Sequence, residues 1–151
     1  MKAAHAVWHN QAIPYQADFS LNGKLSELER LAAEVARFCA GNSLDDEAGF
    51  QLNLVLEELF VNALRHGGCE GVPDCARVCL VCAGDGVEVE FRDRGHRFDP
   101  TAAPVANVRA PLEERGDGGL GIHLVREIMR DLDYQRDGEW NQMTMRLPRK
   151  G

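Results

Sequence analysis

Residues 54–68, LVLEELFVNALRHGG, most constrain how this chain can fold, because they form a helical segment that is apolar along most of its length. Between residues 54 and 64 only Glu57, Glu58 and Asn62 are polar. A surface helix would carry more charge. A core helix would avoid these groups, because burying an amide or carboxylate without a partner costs roughly 2 kcal/mol or more. The segment therefore raises the question of what Glu58 and Asn62, one turn apart, are for.

Length and charge narrow the classes of protein to consider. The chain has 151 residues, which suits a single domain over residues 1–151, and its composition is 44% hydrophobic and 27% charged. A net charge of -7 argues against binding to nucleic acid or to an anionic membrane, and favours a partner with a basic surface. The absence of an apolar run long enough for a membrane span, and of a signal peptide, predicts a cytoplasmic location.

Five cysteines are present, an odd number that argues against a disulfide framework in a chain without an export signal. Cys79 and Cys82 have the spacing of a metal knuckle. They lie in ARVCLVCAG, which is typical of a strand, and positions three apart on a strand face opposite sides. We therefore favour small buried hydrophobic residues over zinc ligands.

The order of the elements predicts an α/β (α+β) two-layer sandwich with a mixed, mostly antiparallel sheet and helices on one face. Hydrophobic periodicity and turn signals predict strand, helix, helix, hairpin, long loop, helix and hairpin. The corresponding segments are an opening strand within 5–20, helices over 24–41 and 43–68, strands over 76–83 and 87–93, a loop over 94–119, a helix over 120–132 and a hairpin over 133–148.

Glu58 and Asn62 are the first candidate site residues. Spaced i and i+4, they lie on one face of the helix, and His66 continues that face. A carboxylate can accept a proton, and an amide oxygen can coordinate Mg²⁺, which takes few protein ligands when phosphates and waters supply the rest. An ordinary helix face covered by a loop is the alternative that the spacing leaves open.

Two further motifs have the chemistry of a nucleotide site. Asp93 ends an amphipathic strand and is followed by Gly95, so it can accept a hydrogen bond from an exocyclic amine, although plain turn chemistry is an alternative. GDGGLG, residues 116–121, opens a helix whose N-terminus favours phosphate, although a plain flexible loop is an alternative. The letters also match a dinucleotide motif, which needs a strand immediately before it, but VRAPLEER, with a proline and four charges, is not typical of a strand. Thr144, on a predicted strand, is a fourth and weaker candidate.

The order of these motifs resembles the GHKL ATPase superfamily, whose fold is called the Bergerat fold. A helix with Glu-x-x-x-Asn is followed by a strand ending Asp-x-Gly-x-x-Phe-Asp-Pro, a long loop and Gly-x-Gly-Gly-Leu-Gly opening a helix. The resemblance covers about residues 20–148, and FDP with GGLGIHLVREIMRDLDY is especially similar to the small bacterial anti-sigma-factor serine kinases.

The resemblance implies a role for each matching residue. Glu58 is expected to be the general base and Asn62 to hold Mg²⁺ against the phosphates of ATP. Asp93 is expected to bind the adenine amino group, and residues 98–118 to form a mobile lid over the triphosphate. The remaining residues implied to contact the nucleotide are His66, Gly95, Phe98, Gly116, Gly118, Gly119, Leu120, Gly121 and Thr144.

The function implied by the resemblance is that of an ATP-dependent serine/threonine protein kinase. Its expected partners are a STAS-type anti-sigma-factor antagonist, which it phosphorylates, and a sigma factor, which it sequesters as a homodimer. A nucleotide-binding regulatory module without phosphotransfer, and a plain ATPase within a larger complex, are the alternatives. Histidine kinase and gyrase-like members are not favoured, because they need a dimerisation helix or large transducer domains in addition to the nucleotide domain.

Overall fold

The computed structural model describes residues 15–102 and 119–149, which form three α-helices, five strands and one short 3-10 helix. The strands are β1 (Ala17–Leu21), β2 (Ala76–Ala83), β3 (Gly86–Asp93), β4 (Arg130–Asp137) and β5 (Trp140–Pro148). The helices are α1 (Glu27–Gly41), α2 (Asp46–Arg65) and α3 (Gly119–Ile128), and the 3-10 helix is Pro100–Ala102.

Within the described residues the five strands form one sheet in the order β1-β2-β3-β5-β4, with every neighbouring pair antiparallel. Two tight hairpins make most of this arrangement: Ala83 pairs with Gly86 between β2 and β3, and Asp137 pairs with Trp140 between β4 and β5. β3 lies at the centre of the sheet. Its C-terminal end is therefore flanked by a strand on each side.

The hydrophobic core lies between one face of the sheet and the three helices. Strands alternate their side chains between two faces, and the buried positions of β2, β3 and β5 all fall on the helix-facing side. The largest fully buried side chains include Phe38 of α1, Phe60 of α2 and Phe91 of β3. This packing confirms the predicted two-layer α+β sandwich with helices on one face.

The apolar helix α2 packs between α1 and α3. Its N-terminus is capped by Asp45, whose side chain accepts the Ala48 N–H at 2.8 Å, and it ends at Arg65, before the predicted Gly67-Gly68 stop. Glu58 and Asn62 lie in its last two turns. The helix thus carries both candidate residues towards the same pole of the molecule as the end of β3.

The predicted helix over residues 120–132 is shorter in the structure. α3 ends at Ile128, and β4 begins at Arg130, which pairs with Arg146 of β5. Asp131 has a left-handed φ of 56°, which an α-helix does not accommodate, and an irregularity in the pairing follows it. Pairing with β5 therefore overrides the helical periodicity of this segment. The opening strand is confirmed for β1, while residues 5–14 lie outside the described residues.

No helix in the described part of the chain combines the length and apolar character that crossing a membrane requires.

Replacing Asp45 by Ala is expected to lower the free energy of unfolding by about 1 kcal/mol, because the Ala48 N–H loses its acceptor at the start of α2. Urea denaturation followed by circular dichroism measures this. Asp45→Asn keeps an acceptor oxygen at the same place and is the matched control, expected to stay close to wild type. Equal loss in both variants would show that the charge, and not the cap, matters.

Candidate functional site

The side chain of Asp93 lies on the helix-facing side of the sheet, at the end of β3. Because a strand alternates, Asp93 points to the same side as Val89 and Phe91, which are buried in the core. In the sheet Asp93 is paired with Ala76 of β2 and with Asn141 of β5. Its carboxyl group therefore lies at the edge of the apolar core, where a binding site can form.

The loop after β3 packs directly on the C-terminal end of α2. His96 donates its backbone N–H to the Gly67 carbonyl at 2.9 Å, and a β-carbon on Gly95 would lie 3.1 Å from Gly67 Cα. Gly67 in turn donates its N–H to the Asn62 carbonyl at 3.2 Å. Glycine is needed at position 95 because two backbones approach each other closely there. This contact brings the turn of Asn62 and the end of Asp93's strand to one pole.

The two oxygens of Asp93 have different surroundings. Oδ1 accepts the Gly95 N–H at 2.8 Å and the Asn141 Nδ2–H at 3.0 Å. Burial raises the pKa of the Asp93 carboxyl above its usual value, while these hydrogen bonds and the positive charge of Arg136 act in the opposite direction. Among the described residues no donor is paired with Oδ2. That oxygen is available to a hydrogen-bond donor on a ligand.

Asn141 is a buried polar residue, 5% exposed, that sequence reasoning missed. Besides Asp93, its Nδ2 donates to the His96 carbonyl at 2.8 Å. Its Oδ1 accepts the Tyr134 hydroxyl at 2.6 Å and the Phe98 N–H at 3.3 Å. The signal that would have found it is an amide at a position where the alternation of β5 calls for an apolar residue.

Thr144, predicted as an adenine contact, is not brought to the site. Asn141 and Met143 face the helices, whereas Thr144 lies on the opposite face of the sheet, paired with Glu90 and Asp133. Side chains on a strand change face at every residue, so the odd spacing between Asn141 and Thr144 reverses the direction. The residue of β5 that lies beside Asp93 is Asn141.

Glu58 and Asn62 lie one turn apart on α2 and are both half-buried. Within the described residues neither side chain has a hydrogen-bond partner, although the adjacent Glu57 accepts a hydrogen bond from Asn53 Nδ2 at 2.8 Å. Because both side chains are only half-buried, water or a ligand can reach their polar groups. Glu58 and Asn62 are therefore available to a ligand, whereas Glu57 is engaged within the helix.

Gly121 lies against Glu58 at the beginning of α3. A β-carbon at Gly121 would lie 3.1 Å from Glu58 Cδ and nearer still to Oε2. Gly119, Leu120 and Gly121 form the first turn of this helix. Backbone N–H groups at a helix start, together with the helix dipole, attract phosphate. The structure thus brings a carboxylate and a backbone of the phosphate-binding type into contact.

The other predicted contacts are more exposed or lie outside the described residues. His66 is the exposed C-terminal cap of α2, and Phe98 is 51% exposed, held by its N–H to Asn141. Gly116 and Gly118 lie outside the described residues, as do residues 103–115 of the predicted lid. The role of the lid accordingly stays a prediction.

Two arginines pack against Trp140 near the end of β3, on the face of the sheet that points away from the helices. The guanidinium groups of Arg92 and Arg94 lie 4.9 and 4.0 Å from the centroid of the Trp140 ring. Arg94 also pairs with Glu139, and its Nε donates to the Asp74 carbonyl at 2.9 Å. These contacts hold Arg94, which lies between Asp93 and Gly95 in the chain.

The cysteines do not converge on this site as a metal centre. Cys79 accepts a hydrogen bond from Gln16 Nε2, whereas Cys82, three residues on, packs against the core from the other side of β2. Cys69 and Cys75 are fully buried, and the hydrogen bond of the Cys75 thiol with the Cys69 side chain, together with burial, raises the pKa of Cys75. No cluster of three or more metal-ligating side chains occurs within residues 15–102 and 119–149.

The chemistry of the described groups fits ATP with Mg²⁺. The unpaired oxygen of Asp93 matches the exocyclic amine of adenine, and Gly95 leaves the backbone open beside it. The start of α3 suits phosphate oxygens. Asn62 offers one hard oxygen ligand, which is what Mg²⁺ needs when phosphates and waters complete its shell, and Glu58 can accept a proton.

Comparison with known families finds a match over residues 21–147 to the model of the histidine kinase-like ATPase domain. That range contains the three helices, β2 to β4, all of β5 except Pro148, and all the candidate site residues described above.

Two similar proteins illustrate the match. The serine/threonine-protein kinase BtrW of Bordetella bronchiseptica is 31% identical over 96 residues, which are 64% of this chain and 68% of that protein. A crystal structure of the RsbU and RsbW domains of a Mycobacterium tuberculosis protein superposes with a TM-score of 0.64 at 15% identity, covering 89% of this chain. This chain spans 32% of the length of that solved chain, so the likeness concerns the fold alone.

Two helical glycines make a matched pair of alanine substitutions. Gly49→Ala on α2 meets only Cys39 Sγ at 3.5 Å and should stabilise by about 0.5–1 kcal/mol through helix propensity. Gly121→Ala is expected to stabilise less, because its β-carbon would lie 3.1 Å from Glu58 Cδ and the Glu58 side chain must move away. Differential scanning calorimetry of both variants checks this, and equal stabilisation by the two substitutions would contradict the contact.

Proposed function

This chain belongs to the histidine kinase-like ATPase domain family, and from that premise we propose that it is an ATP-dependent serine/threonine protein kinase. Its substrate is a serine or threonine hydroxyl on an anti-sigma-factor antagonist of the STAS type, and it also sequesters a sigma factor as a homodimer. The similarity to a protein named as a serine/threonine kinase supports the phosphotransfer activity. The net charge of -7 supports a basic surface on a partner.

The observation that carries the proposal is the position of Glu58, which is half-buried, has no hydrogen-bond partner among the described residues and contacts Gly121 at the start of α3. A carboxylate beside a helix start would repel phosphate if binding were its only task. The same placement suits a base that must act next to the group being transferred. This supports a kinase over a module that only binds nucleotide.

In the proposed reaction Glu58 accepts the proton of the acceptor hydroxyl as that oxygen bonds to the γ-phosphorus, and the bond from phosphorus to the ADP oxygen breaks. Asn62 would hold Mg²⁺, which when bound would neutralise charge on the phosphates. The backbone N–H groups of Gly119 to Gly121 bind phosphate oxygens. Asp93 binds the base through Oδ2, and Gly95 gives the base room. The chain thus contributes positioning and one proton acceptor.

Glu58→Gln is expected to reduce phosphotransfer at least about 100-fold, because an amide cannot take the proton, while ATP affinity stays within about threefold. Incubation with labelled ATP and candidate antagonists measures transfer, and calorimetry measures affinity. Glu57→Gln, one residue away and bonded to Asn53, is the control expected to keep activity. Full activity of Glu58→Gln would overturn the base assignment.

The wild-type reaction itself separates the alternatives. If the protein binds ATP but labels none of the antagonists, the nucleotide-dependent binding module becomes the better account. If it releases phosphate rapidly without a protein acceptor, a plain ATPase becomes the better account.

Asp93→Asn is expected to abolish ATP binding and to leave the protein at least as stable as wild type. Its amide oxygen can take over the hydrogen bonds from Gly95 and Asn141, which turns the NH₂ group towards the adenine amine, where an acceptor is needed. Calorimetry with ATP and thermal unfolding measure the two effects. A variant that binds ATP normally would refute the role of Asp93.

The pH dependence of stability, compared between wild type and Asp93→Asn, tests the burial of the Asp93 carboxyl group. Because burial raises the pKa of Asp93, its contribution to stability is present below the unfolded-state pKa and is lost as the pH rises through the folded-state pKa. The stability of wild type relative to Asp93→Asn should therefore fall as the pH rises through that window. ATP binding should have the opposite trend, because it needs the ionised carboxylate, and should be lost as the pH falls through the same range. Urea denaturation over this range measures the first effect.

A further inference from the structure

We propose that Asn141 is the positioning residue of the base site, which aims the unpaired oxygen of Asp93 at the nucleotide base and fixes the loop over residues 95–98 around it. This inference rests on the proposed function, because the base is the ligand it concerns. In this proposal Asn141 does not contact the nucleotide itself. It acts by positioning Asp93 and the backbone of residues 95–98.

The donor side of Asn141 is directed entirely at the site. Nδ2 lies 3.0 Å from Asp93 Oδ1, 2.8 Å from the His96 carbonyl and 3.4 Å from the Gly95 carbonyl. The first contact holds one carboxylate oxygen, which leaves the other to face outwards. The other two contacts fix the backbone of the loop beside the base. The Asn141 amide therefore positions both the Asp93 carboxylate, which accepts the hydrogen bond from the base, and the loop backbone beside the base.

The acceptor side fixes the orientation of that amide. Oδ1 receives the Tyr134 hydroxyl at 2.6 Å, Arg136 NH1 at 3.2 Å and the Phe98 N–H at 3.3 Å. With donors on one side and carbonyl or carboxylate acceptors on the other, an exchanged amide would lose its bonds on both sides. Asn141 therefore cannot rotate to offer Asp93 an oxygen without breaking this network.

Arg136 ties the network to the loop a second time. Its NH1 donates to the Gly95 carbonyl at 2.9 Å as well as to Asn141. The titratable groups around Asp93 are Arg136 of β4, Cys69 and Cys75 of the connection between α2 and β2, and the adjacent Arg94 and His96. Asn141 and Arg136 are the side chains that favour the ionised form of the Asp93 carboxyl against its burial.

The test compares Asn141→Asp with Gln142→Glu, which make the same change from amide to carboxylate on adjacent residues of β5. Asn141→Asp keeps an acceptor for Tyr134 and Arg136 but places an oxygen against Asp93 Oδ1. Gln142 faces the other side of the sheet, where its strand partner is Arg92. The Asp93 pKa is followed at its carboxyl carbon by NMR without ligand, and affinities for ATP and for tripolyphosphate, each with Mg²⁺, are measured by calorimetry.

For Asn141→Asp we expect the Asp93 pKa to rise by about 1 or more and ATP affinity to fall roughly 10- to 100-fold. Tripolyphosphate, which lacks a base, should bind within about twofold of wild type, and Gln142→Glu should match wild type in all three measurements. If Asn141→Asp does not fold, Asn141→Ala is measured in the same way, with the same directions expected.

Three results would count against the idea. An unchanged Asp93 pKa with unchanged ATP affinity in the folded variant would overturn it, as would equal weakening of ATP and tripolyphosphate, which indicates general damage. If wild type binds no ATP, the proposed function fails together with the recognition role. The ligand-free NMR titration would then still decide whether Asn141 controls the ionisation of Asp93.

Discussion

One half-buried carboxyl group, that of Asp93, and the hydrogen bonds it must accept organise the functional end of this molecule. Asp93 is carried into the interior by the alternation of β3, and an ionised group there is tolerated only when it is paired. The pairing is provided by Gly95 within its own loop and by Asn141 across the sheet. The loop is in turn bonded to the end of α2 through Gly67. Satisfying one carboxylate thus connects β3, β5 and α2.

The second half of the site is built by a different principle. On α2 the polar groups of Glu58 and Asn62 have no partner among the described residues, and Gly121 brings the start of α3 into contact with Glu58. The region around Asp93 is thus held by several hydrogen bonds and leaves one carboxylate oxygen available, while the region around Glu58 and Asn62 leaves both polar side chains available. This division agrees with the proposed function, in which the nucleotide base is held firmly and phosphotransfer takes place beside the phosphates.

Much of this architecture could be predicted from the sequence, because local patterns encode it. Alternation located the hairpins, periodicity located α1 and α2, and ordered motifs supported the resemblance to the GHKL superfamily, which the family match confirms. Two features depend on long-range pairing and could not be predicted locally. The end of α3 is set by pairing with β5. Strand register decides that Asn141 lies beside Asp93 and that Thr144, predicted as an adenine contact, faces away, so Asn141 was missed.

The stacking of Arg94 on Trp140 has a practical consequence. The indole lies on the outer face of the sheet, yet the guanidinium 4.0 Å from its ring belongs to the residue that directly follows Asp93. A displacement of that backbone alters the electric field and the polarity experienced by the fluorophore. In a variant that lacks Trp8, the other tryptophan of the chain, the emission spectrum therefore gives an optical signal of events on the far side of the strand, with no chemical label attached.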